Sequence, residues 1–148
     1  MNYIIKSPET KQEWSKYFSF RWELLRKPWN MPLDSLKDQF EDQGFHLIAM
    51  TNELKIIGTG RIHLINKYEA QIRYMAVSEN YRRTGLGSKI LAELEKEAEN
   101  HNVHKIILNA RNNALDFYRS LKYIETGPYE SDTGIPHTRM EKKISLLE

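Results

Sequence analysis

A strand pattern ends at Val77 and a helix pattern begins near Leu86, with two glycines, Gly85 and Gly87, at the start of the helix pattern. In the helix pattern five apolar residues share one face, while glutamates occupy the rest. These apolar residues are Leu86, Ile90, Leu91, Leu94 and Ala98. Residues 105–108 then form a nearly all-apolar run, as buried strands do. Strand, loop, helix and strand in this order form a crossover unit, so we expect two parallel strands joined across a helix.

The N-terminal third shows a strand followed by helices. Residues 3–6 form a short β-type run, and Ser7-Pro8-Glu9 offers a cap, a first-turn proline and an acid, which together predict a helix start. Trp14, Phe18, Trp22 and Leu25 recur at helical spacing in that helix. The prolines within residues 27–32 break it. A second helix is predicted around Leu33, Leu36 and Phe40, ending near Gly44.

The middle of the chain changes to the period of strands. Residues 45–50, 55–65 and 70–77 are joined by short turns, which predicts an antiparallel meander. After the crossover unit, Asn112 or Asn113 caps a further helix to about Leu121, and residues 123–126 and 138–144 are predicted as the last strands. The fold class is therefore α+β, with a mixed, mostly antiparallel central sheet flanked by helices. We expect residues 1–148 to form a single domain.

Composition excludes several kinds of site. The 148 residues contain no cysteine, which rules out disulfides, thiolate metal sites and cysteine nucleophiles, and suits a reducing compartment. No run approaches the roughly 20 apolar residues of a membrane span, so we expect no membrane partner and a cytoplasmic location. His101 and His104 have the spacing of a helical metal pair, but no acid completes it, and we expect no metal site.

The glycine loop has the chemistry of a phosphate site. A helix N-terminus presents unpaired N–H groups, and glycines let a ligand approach the backbone. Arg82 and Arg83 add planar guanidinium donors, which suit a pyrophosphate. The spacing fits neither the Walker loop nor the dinucleotide fingerprint. The alternative is a turn that needs glycine, with solvated arginines beside it. With a formal charge of only +2 and no continuous basic stripe, we expect no nucleic-acid partner.

The combination Arg82-x-x-Gly85-x-Gly87 after the Ala76-Val77 strand end resembles the acetyl-CoA loop of the GNAT superfamily of N-acetyltransferases. The predicted order of elements is similar to that family's order over nearly the whole chain. A second segment, residues 113–118 with Asn113 and Tyr118, resembles the family's later motif on a short helix. The resemblance implies a GNAT-like acyl-CoA N-acyltransferase fold and acetyl-CoA as cosubstrate.

The resemblance also implies roles for individual residues. The backbone of Met75, Ala76 and Val77 would pair with the pantetheine arm, and Asn113 would hydrogen-bond that arm. Tyr118 would be the general acid that protonates the departing thiolate; its alternative is a core tyrosine. The pyrophosphate would be held by the loop and the first turn of the helix, namely Arg82, Arg83, Thr84, Gly85, Leu86, Gly87 and Ser88.

Two positions depart from the family's pattern. Many members have an asparagine seven residues before the tyrosine, where this chain has Arg111. Members also commonly have glycine before the aromatic residue that follows the short helix, where this chain has Lys122. A left-handed cap at a lysine costs about 1 kcal/mol relative to glycine, so we expect this helix to end differently.

The acceptor side is less determined. Attack on a thioester needs a neutral amine, so a base must take its proton. Glu69, Glu79 and His137 are the candidate bases; the alternatives are solvated turn carboxylates and an edge-strand histidine bonded to backbone.

Substrate contacts are predicted in the same region. Gln71 and Arg73 alternate along one strand face and are predicted to line the acceptor cleft, with structural ion pairing of Arg73 as the alternative. Trp29 is a further candidate substrate contact, since the family covers the acceptor cleft with this region.

The predicted reaction is direct acetyl transfer from acetyl-CoA to an amine in a ternary complex. No covalent intermediate is needed, and no cysteine exists to form one. The alternative is a catalytically degenerate CoA-binding regulatory module. The acceptor is a small-molecule or peptide amine whose identity stays open, and so does association into a homodimer.

Overall fold

A computed structural model describes residues 2–131 and 134–144. The seven strands are β1 Tyr3–Lys6, β2 Phe45–Thr51, β3 Ile56–Leu64, β4 Glu69–Val77, β5 Lys105–Arg111, β6 Ile124–Glu130 and β7 Pro136–Lys143. The helices are α1 Lys11–Leu25, α2 Leu86–Asn100 and α3 Leu115–Ser120. Short 3-10 turns lie at Lys27–Trp29, Leu33–Leu36, Glu79–Tyr81 and Asn112–Ala114. The predicted strand meander and the three longer helical regions are therefore present.

All seven strands belong to one sheet in the order β1-β2-β3-β4-β5-β7-β6. Every neighbouring pair is antiparallel except β4 and β5, which run parallel. This confirms the mixed, mostly antiparallel sheet and the crossover from β4 through α2 to β5. The last strand lies between β5 and β6, an order that the sequence pattern did not predict.

The main core lies between one face of the sheet and α2. The predicted apolar face of α2, Leu86, Ile90, Leu91, Leu94 and Ala98, is buried as expected. It packs against alternating strand residues such as Leu47 and Ile72. Burying aliphatic side chains of this size stabilises a fold by about 1.5–3 kcal/mol each, so this face fixes α2 across the sheet.

The opposite face of the sheet packs against α1. Ile48 and Met50 alternate with the main-core residues of β2 and meet Tyr17 of α1 in a second cluster. α1 starts one turn later than predicted, because Thr10, not Ser7, is its N-cap. Thr10 and Glu13 form a reciprocal capping box, which satisfies two backbone donors that a serine cap before Pro8 would not.

The predicted second helix is wrong beyond Leu36. A 3-10 turn covers Leu33–Leu36, and residues 37–44 form irregular turns. Two acids of this segment use their carboxylates elsewhere: Asp38 bonds Arg61 and Arg73, and Glu41 bonds Arg21 and Arg61. These long-range pairs compete with local helix formation, and the sequence period of this segment does not reveal them.

The sheet splits in its middle. The β4–β5 ladder ends at the pair Ile72 and Leu108, although both strands continue. On its other side β4 has a bulge, where Gly60 of β3 opposes both Tyr74 and Met75, and Tyr74 adopts a positive φ of 60°. Bulges bend a strand and increase its twist. β4 and β5 therefore diverge, and a gap opens between their C-terminal halves.

Candidate active site

A cavity of about 840 Å³ occupies the gap between β4 and β5. The predicted cofactor residues Met75, Ala76, Val77, Arg82, Arg83 and Asn113 line it, together with Tyr118. The predicted acceptor-side residues Gln71, Arg73 and His137 line it as well. These predicted residues come from four separate segments of the chain, and the fold brings them to one cavity.

Arg82 and Arg83, which line the cavity, lead into the start of α2. The other predicted pyrophosphate residues are not among the lining residues: Thr84, Gly85, Leu86, Gly87 and Ser88. Gly85 is the N-cap of that helix in a left-handed conformation, with φ of 89°, and no side chain caps the first turn. Arg83 in the preceding loop also has a positive φ, 62°. Left-handed residues re-aim neighbouring N–H groups, and concave runs of such groups bind anions. The uncapped N–H groups of the first turn, beside two arginines, form a site that fits a pyrophosphate.

Glycine is required at positions 85 and 87 for two different reasons. Gly85 requires no extra space, since a Cβ there would meet nothing within 4 Å, but its φ of 89° is strained for other residues. Gly87 sits inside the first helical turn, where a Cβ would lie 3.1 Å from Cζ of Phe117. Gly85 is therefore required by backbone conformation, and Gly87 allows α2 to approach α3 closely.

The wall of the cavity on the β4 side is backbone. Because the β4–β5 ladder stops at Ile72, the β4 segment after it has no paired strand on the cavity side. The Thr59 hydroxyl donates to the Tyr74 carbonyl at 3.0 Å and holds the bulge that turns this segment. An extended ligand with amide groups could pair with the open edge as another strand would.

Tyr118 lies on α3 at the floor of the cavity. It is 8% exposed, and within the described residues its hydroxyl has no hydrogen-bond partner. Burial raises the pKa of Tyr118 above its ordinary value, against the opposing effect of the Arg111 charge. The phenol therefore keeps its proton near neutral pH. Because Tyr118 lines the cavity, a ligand bound there can accept this proton.

His137 lies on β7 and lines the cavity half-buried. Its Nδ1 lies 2.7 Å from the carbonyl oxygen of Ile135. A carbonyl only accepts, so Nδ1 carries the proton, and in the neutral ring Nε2 keeps a free lone pair. His137 is thus oriented as a base.

The two carboxylate candidates lie elsewhere. Glu69 pairs with Lys105 at 2.9 Å, which lowers the pKa of Glu69, and neither residue lines the large cavity. Glu79 lies in the 3-10 turn that follows β4, outside the lining residues. Of the three predicted bases, the structure brings His137 alone into the cavity with Tyr118.

Arg73 lines the cavity but is engaged by an acid. Its Nη1 donates to Oδ2 of Asp38 at 2.7 Å, while Arg61 binds the same carboxylate through both terminal nitrogens. The guanidinium of Arg61 is fully buried. Burial opposes ionisation of Asp38, but its pKa is held well below the usual range by the hydrogen bonds from Arg61 and from the Phe40 N–H. Asp38 is therefore a permanent anion that orders this wall, and a poor base.

Trp29, the predicted substrate contact, is 44% exposed and lies outside the lining residues. Its ring lies 5.8 Å from the guanidinium carbon of Arg111, which does line the cavity. In the sequence, Arg111 stands out only as a departure from the family pattern, and Arg26 and Asp38 were not predicted to line the cavity. The departure at position 111 could have identified Arg111 as a cavity residue. No feature of the sequence pattern singled out Arg26 or Asp38.

Lys122 has a positive φ of 77°, so the expectation that α3 would avoid a left-handed cap there is wrong. The Tyr123 N–H bonds the Tyr118 carbonyl and the Lys122 N–H bonds the Arg119 carbonyl, as in a glycine-ended helix. Burial of Tyr123, which is 2% exposed beside Tyr118, requires this turn and offsets the strain at the lysine.

The two histidines with the spacing of a metal pair have other contacts. His101 bonds the carbonyl of Glu97 and His104 packs on Tyr68, and in residues 2–131 and 134–144 no group of three or more His, Cys, Asp or Glu could hold a metal. No helix in this part of the chain is both long and apolar enough to cross a bilayer.

Comparison with known proteins gives consistent results. Residues 7–144 match the family model of the acetyltransferase (GNAT) domain. The uncharacterized N-acetyltransferase YjcF of Bacillus subtilis (strain 168) is 32% identical over 126 residues, which cover 84% of this chain and 89% of that protein.

Solved structures show the same fold at low identity. An acetyltransferase of the GNAT family from Staphylococcus aureus Mu50 has a TM-score of 0.78 at 15% identity, over 97% of this chain and 99% of that one. An aminoglycoside 6'-N-acetyltransferase complexed with coenzyme A has a TM-score of 0.78 at 15% identity, over 98% and 99%. The predicted GNAT-like fold is confirmed.

Proposed function

The chain belongs to the GNAT family of acetyltransferases, and we propose that it transfers the acetyl group of acetyl-CoA to an amine by direct attack in a ternary complex. One observation carries this proposal. In the gap between β4 and β5, the two arginines that precede the uncapped N-terminus of α2, a phenol and an oriented imidazole line one cavity. We propose that residues 1–148 act as one catalytic domain.

We propose that acetyl-CoA binds along the α2 loop and the open edge of β4. The loop and first turn of α2, residues 82–88, hold the pyrophosphate through N–H groups and the two arginines. The open edge of Met75, Ala76 and Val77 pairs with the pantetheine amides, and Asn113, which lines the cavity, bonds the same arm. Support comes from the ladder that stops at Ile72, because it leaves this edge available.

We propose that His137 is the general base. Its Nε2 accepts a proton from the acceptor amine as the amine nitrogen attacks the thioester carbonyl carbon. The fixed Nδ1 contact with Ile135 supports this role, since it leaves the lone pair on Nε2. The protonated imidazole returns its proton to solvent after the product leaves.

We propose that Tyr118 is the general acid. As the new C–N bond forms and the C–S bond breaks, the sulfur leaves as a thiolate and takes the phenolic proton. The Arg111 charge lowers the pKa of Tyr118 against the effect of burial, so it favours the phenolate that remains until a proton from solvent restores the phenol. A backbone N–H of Met75 to Val77 polarises the carbonyl that becomes negative during attack.

The test uses Tyr118→Phe and His137→Gln, with Tyr68→Phe and His101→Gln as controls on the exposed surface away from the cavity. Thiol release from acetyl-CoA is measured with a broad amine panel, and acetyl-CoA binding is measured by calorimetry. We expect kcat to fall on the order of 10²-fold for each site variant, with acetyl-CoA affinity unchanged. The controls should match the wild type.

Two outcomes would contradict the proposal. If the wild type binds acetyl-CoA but turns over none of the amines, the chain is the CoA-binding regulatory module. If Tyr118→Phe keeps its kcat, the phenol is a core residue and another group protonates the sulfur.

A further inference from the structure

The acceptor end of the cavity is rich in positive charge. Four basic residues line it away from the pyrophosphate loop: Arg26, Lys37, Arg73 and Arg111. Asp38 is the one acidic residue among the described lining residues, and its carboxylate is engaged by Arg61 and Arg73. A polycationic acceptor would be repelled here, while an anionic group would be attracted.

Arg26 and Arg111 are the two guanidiniums of this end that lack an acid. Nε of Arg26 donates to the Ser35 carbonyl and Nη1 to the Leu25 carbonyl, which are neutral partners. Arg111 contacts the Trp29 ring. Among residues 2–131 and 134–144, no carboxylate pairs with either arginine. Both side chains are half-buried, so their charges are only partly screened by water.

The two arginines line the same cavity, and the Arg26 charge acts on Arg111. The pKa of Arg111 is lowered by burial and then by the positive charges of Arg26 and Arg82. Burial likewise lowers the pKa of Arg26. Two like charges held near each other without a counter-ion favour binding of an anion between them.

Arg111 is also fixed beside the proposed base. Arg111 of β5 and His137 of β7 are direct partners in the antiparallel ladder, so their side chains leave the same face of the sheet. Directly opposite Cβ atoms lie about 4.5–5.5 Å apart in such pairs. A ligand whose anionic group binds Arg111 therefore places its other end within reach of His137.

From this arrangement we infer that the acceptor is a primary amine that also carries an anionic group, a carboxylate or a phosphate, bound between Arg26 and Arg111. This inference rests on the proposed function and adds the substrate class to it. Arg73, the sequence-based candidate for such a contact, has its charge offset by Asp38 and supports the wall instead.

The experiment compares matched acceptors that differ only in the charged group. Amino acids are tested beside their neutral amides and their aminophosphonate analogues, with spermidine as the polycation. We expect kcat/KM at least 10-fold higher for the anionic members than for the amides, and spermidine to be the poorest acceptor. A higher value for the carboxylate or for the phosphonate identifies which anion the site takes.

The variants are Arg26→Gln, Arg111→Gln and the charge-keeping Arg111→Lys. Each glutamine variant should lose the preference for the anion through KM of the amino acid, while KM for acetyl-CoA stays unchanged. Arg26→Gln should also leave turnover of the amide unchanged. Arg111→Gln should lower kcat for the acid and the amide alike, because the Arg111 charge also favours the Tyr118 phenolate. Arg111→Lys should retain part of the preference. The control is Arg139→Gln, an exposed arginine two residues after His137 on β7 and outside the cavity lining.

Several results would overturn the inference. Equal kcat/KM for amino acids and amides would remove the anion site while leaving the acetyltransferase proposal intact. A rise in KM for acetyl-CoA in Arg111→Gln would make this arginine a cofactor contact instead. If no amine is acetylated, binding of N-acetyl amino acids and of their amides is compared by thermal shift on the wild type and all variants. Equal shifts for the acids and the amides would contradict the anion site independently of turnover.

Discussion

The backbone N–H of Tyr123 donates to the carbonyl oxygen of Tyr118 across 3.1 Å, and the two rings meet edge to face at 5.9 Å. This pair of contacts ends α3 two residues after the proposed general acid, at Ser120. Lys122 lies between them in the left-handed region, with φ of 77°. The turn that holds Tyr118 in the cavity therefore contains a strained lysine, and the strain can be measured.

Replacing Lys122 with glycine should stabilise the protein. A left-handed conformation costs a non-glycine residue about 1–2 kcal/mol, and the greater freedom of glycine in the unfolded chain offsets part of the gain. We expect Lys122→Gly to raise the free energy of unfolding by about 1 kcal/mol, measured by urea denaturation. Lys122→Ala keeps the strain while removing the side chain, so it is the matched control. An alanine variant as stable as the glycine variant would show that φ is not the cause.

Gly85→Ala should weaken cofactor binding. The variant strains a left-handed residue and adds a methyl group where a pyrophosphate is proposed to lie, so the dissociation constant for acetyl-CoA should rise at least 10-fold. Gly134→Ala is the control, because Gly134 also has a positive φ, 75°, with no atom near a built Cβ, but lies away from α2. Both variants should lose about 1 kcal/mol of stability. Unchanged acetyl-CoA affinity in Gly85→Ala would remove the loop from the cofactor site.

Asp38→Asn should destabilise the fold. It removes one of the two carboxylates that bind Arg61, which is fully buried, and the other, Glu41, is shared with Arg21. Removing one partner of a buried ion pair costs up to about 3–5 kcal/mol. Thermal and urea unfolding measure the loss. Asp34→Asn, in the exposed 3-10 turn nearby, should change stability by less than about 0.5 kcal/mol. A near-neutral Asp38→Asn would mean that Glu41 alone neutralises Arg61.

His63 should make stability depend on pH. Burial, followed by the Arg61 charge, lowers the pKa of His63 to about 4 in the folded state, against about 6.5 in the unfolded chain. Between these values only the unfolded chain binds the proton, so the free energy of unfolding falls as pH drops from about 6.5 to 4. The loss should be on the order of 1–3 kcal/mol. Asp38, with its lowered pKa, adds its own loss below about pH 4.

His63→Gln should reduce the pH dependence of the free energy of unfolding between about pH 4 and 6.5. Urea denaturation at several pH values between 4 and 7 measures the slope for the variant and for the wild type. Burial also lowers the pKa of His46, so part of the slope should persist. His101→Gln, at an exposed helix end, should keep the full slope. If His63→Gln keeps it too, the imidazole is not the group that titrates.

Local patterns predicted much of this fold. The spacing of apolar residues predicted the buried face of α2, the nearly all-apolar β5 and the crossover between parallel strands. Helix and strand periods are properties of neighbouring positions, so a short stretch of chain is enough to show them. The glycine loop was also visible, since Gly85 and the arginines before it are adjacent in the chain.

The sequence by itself therefore determined the α+β class, the place of the proposed phosphate-binding loop and Tyr118 as the residue to test. Tertiary structure alone decided that β7 enters between β5 and β6, which sets His137 beside Arg111. It also decided that Asp38 leaves its predicted helix to bind Arg61 and Arg73. These pairings join residues more than 20 positions apart, and their energies come from burial and charge in the folded chain, which no local period encodes.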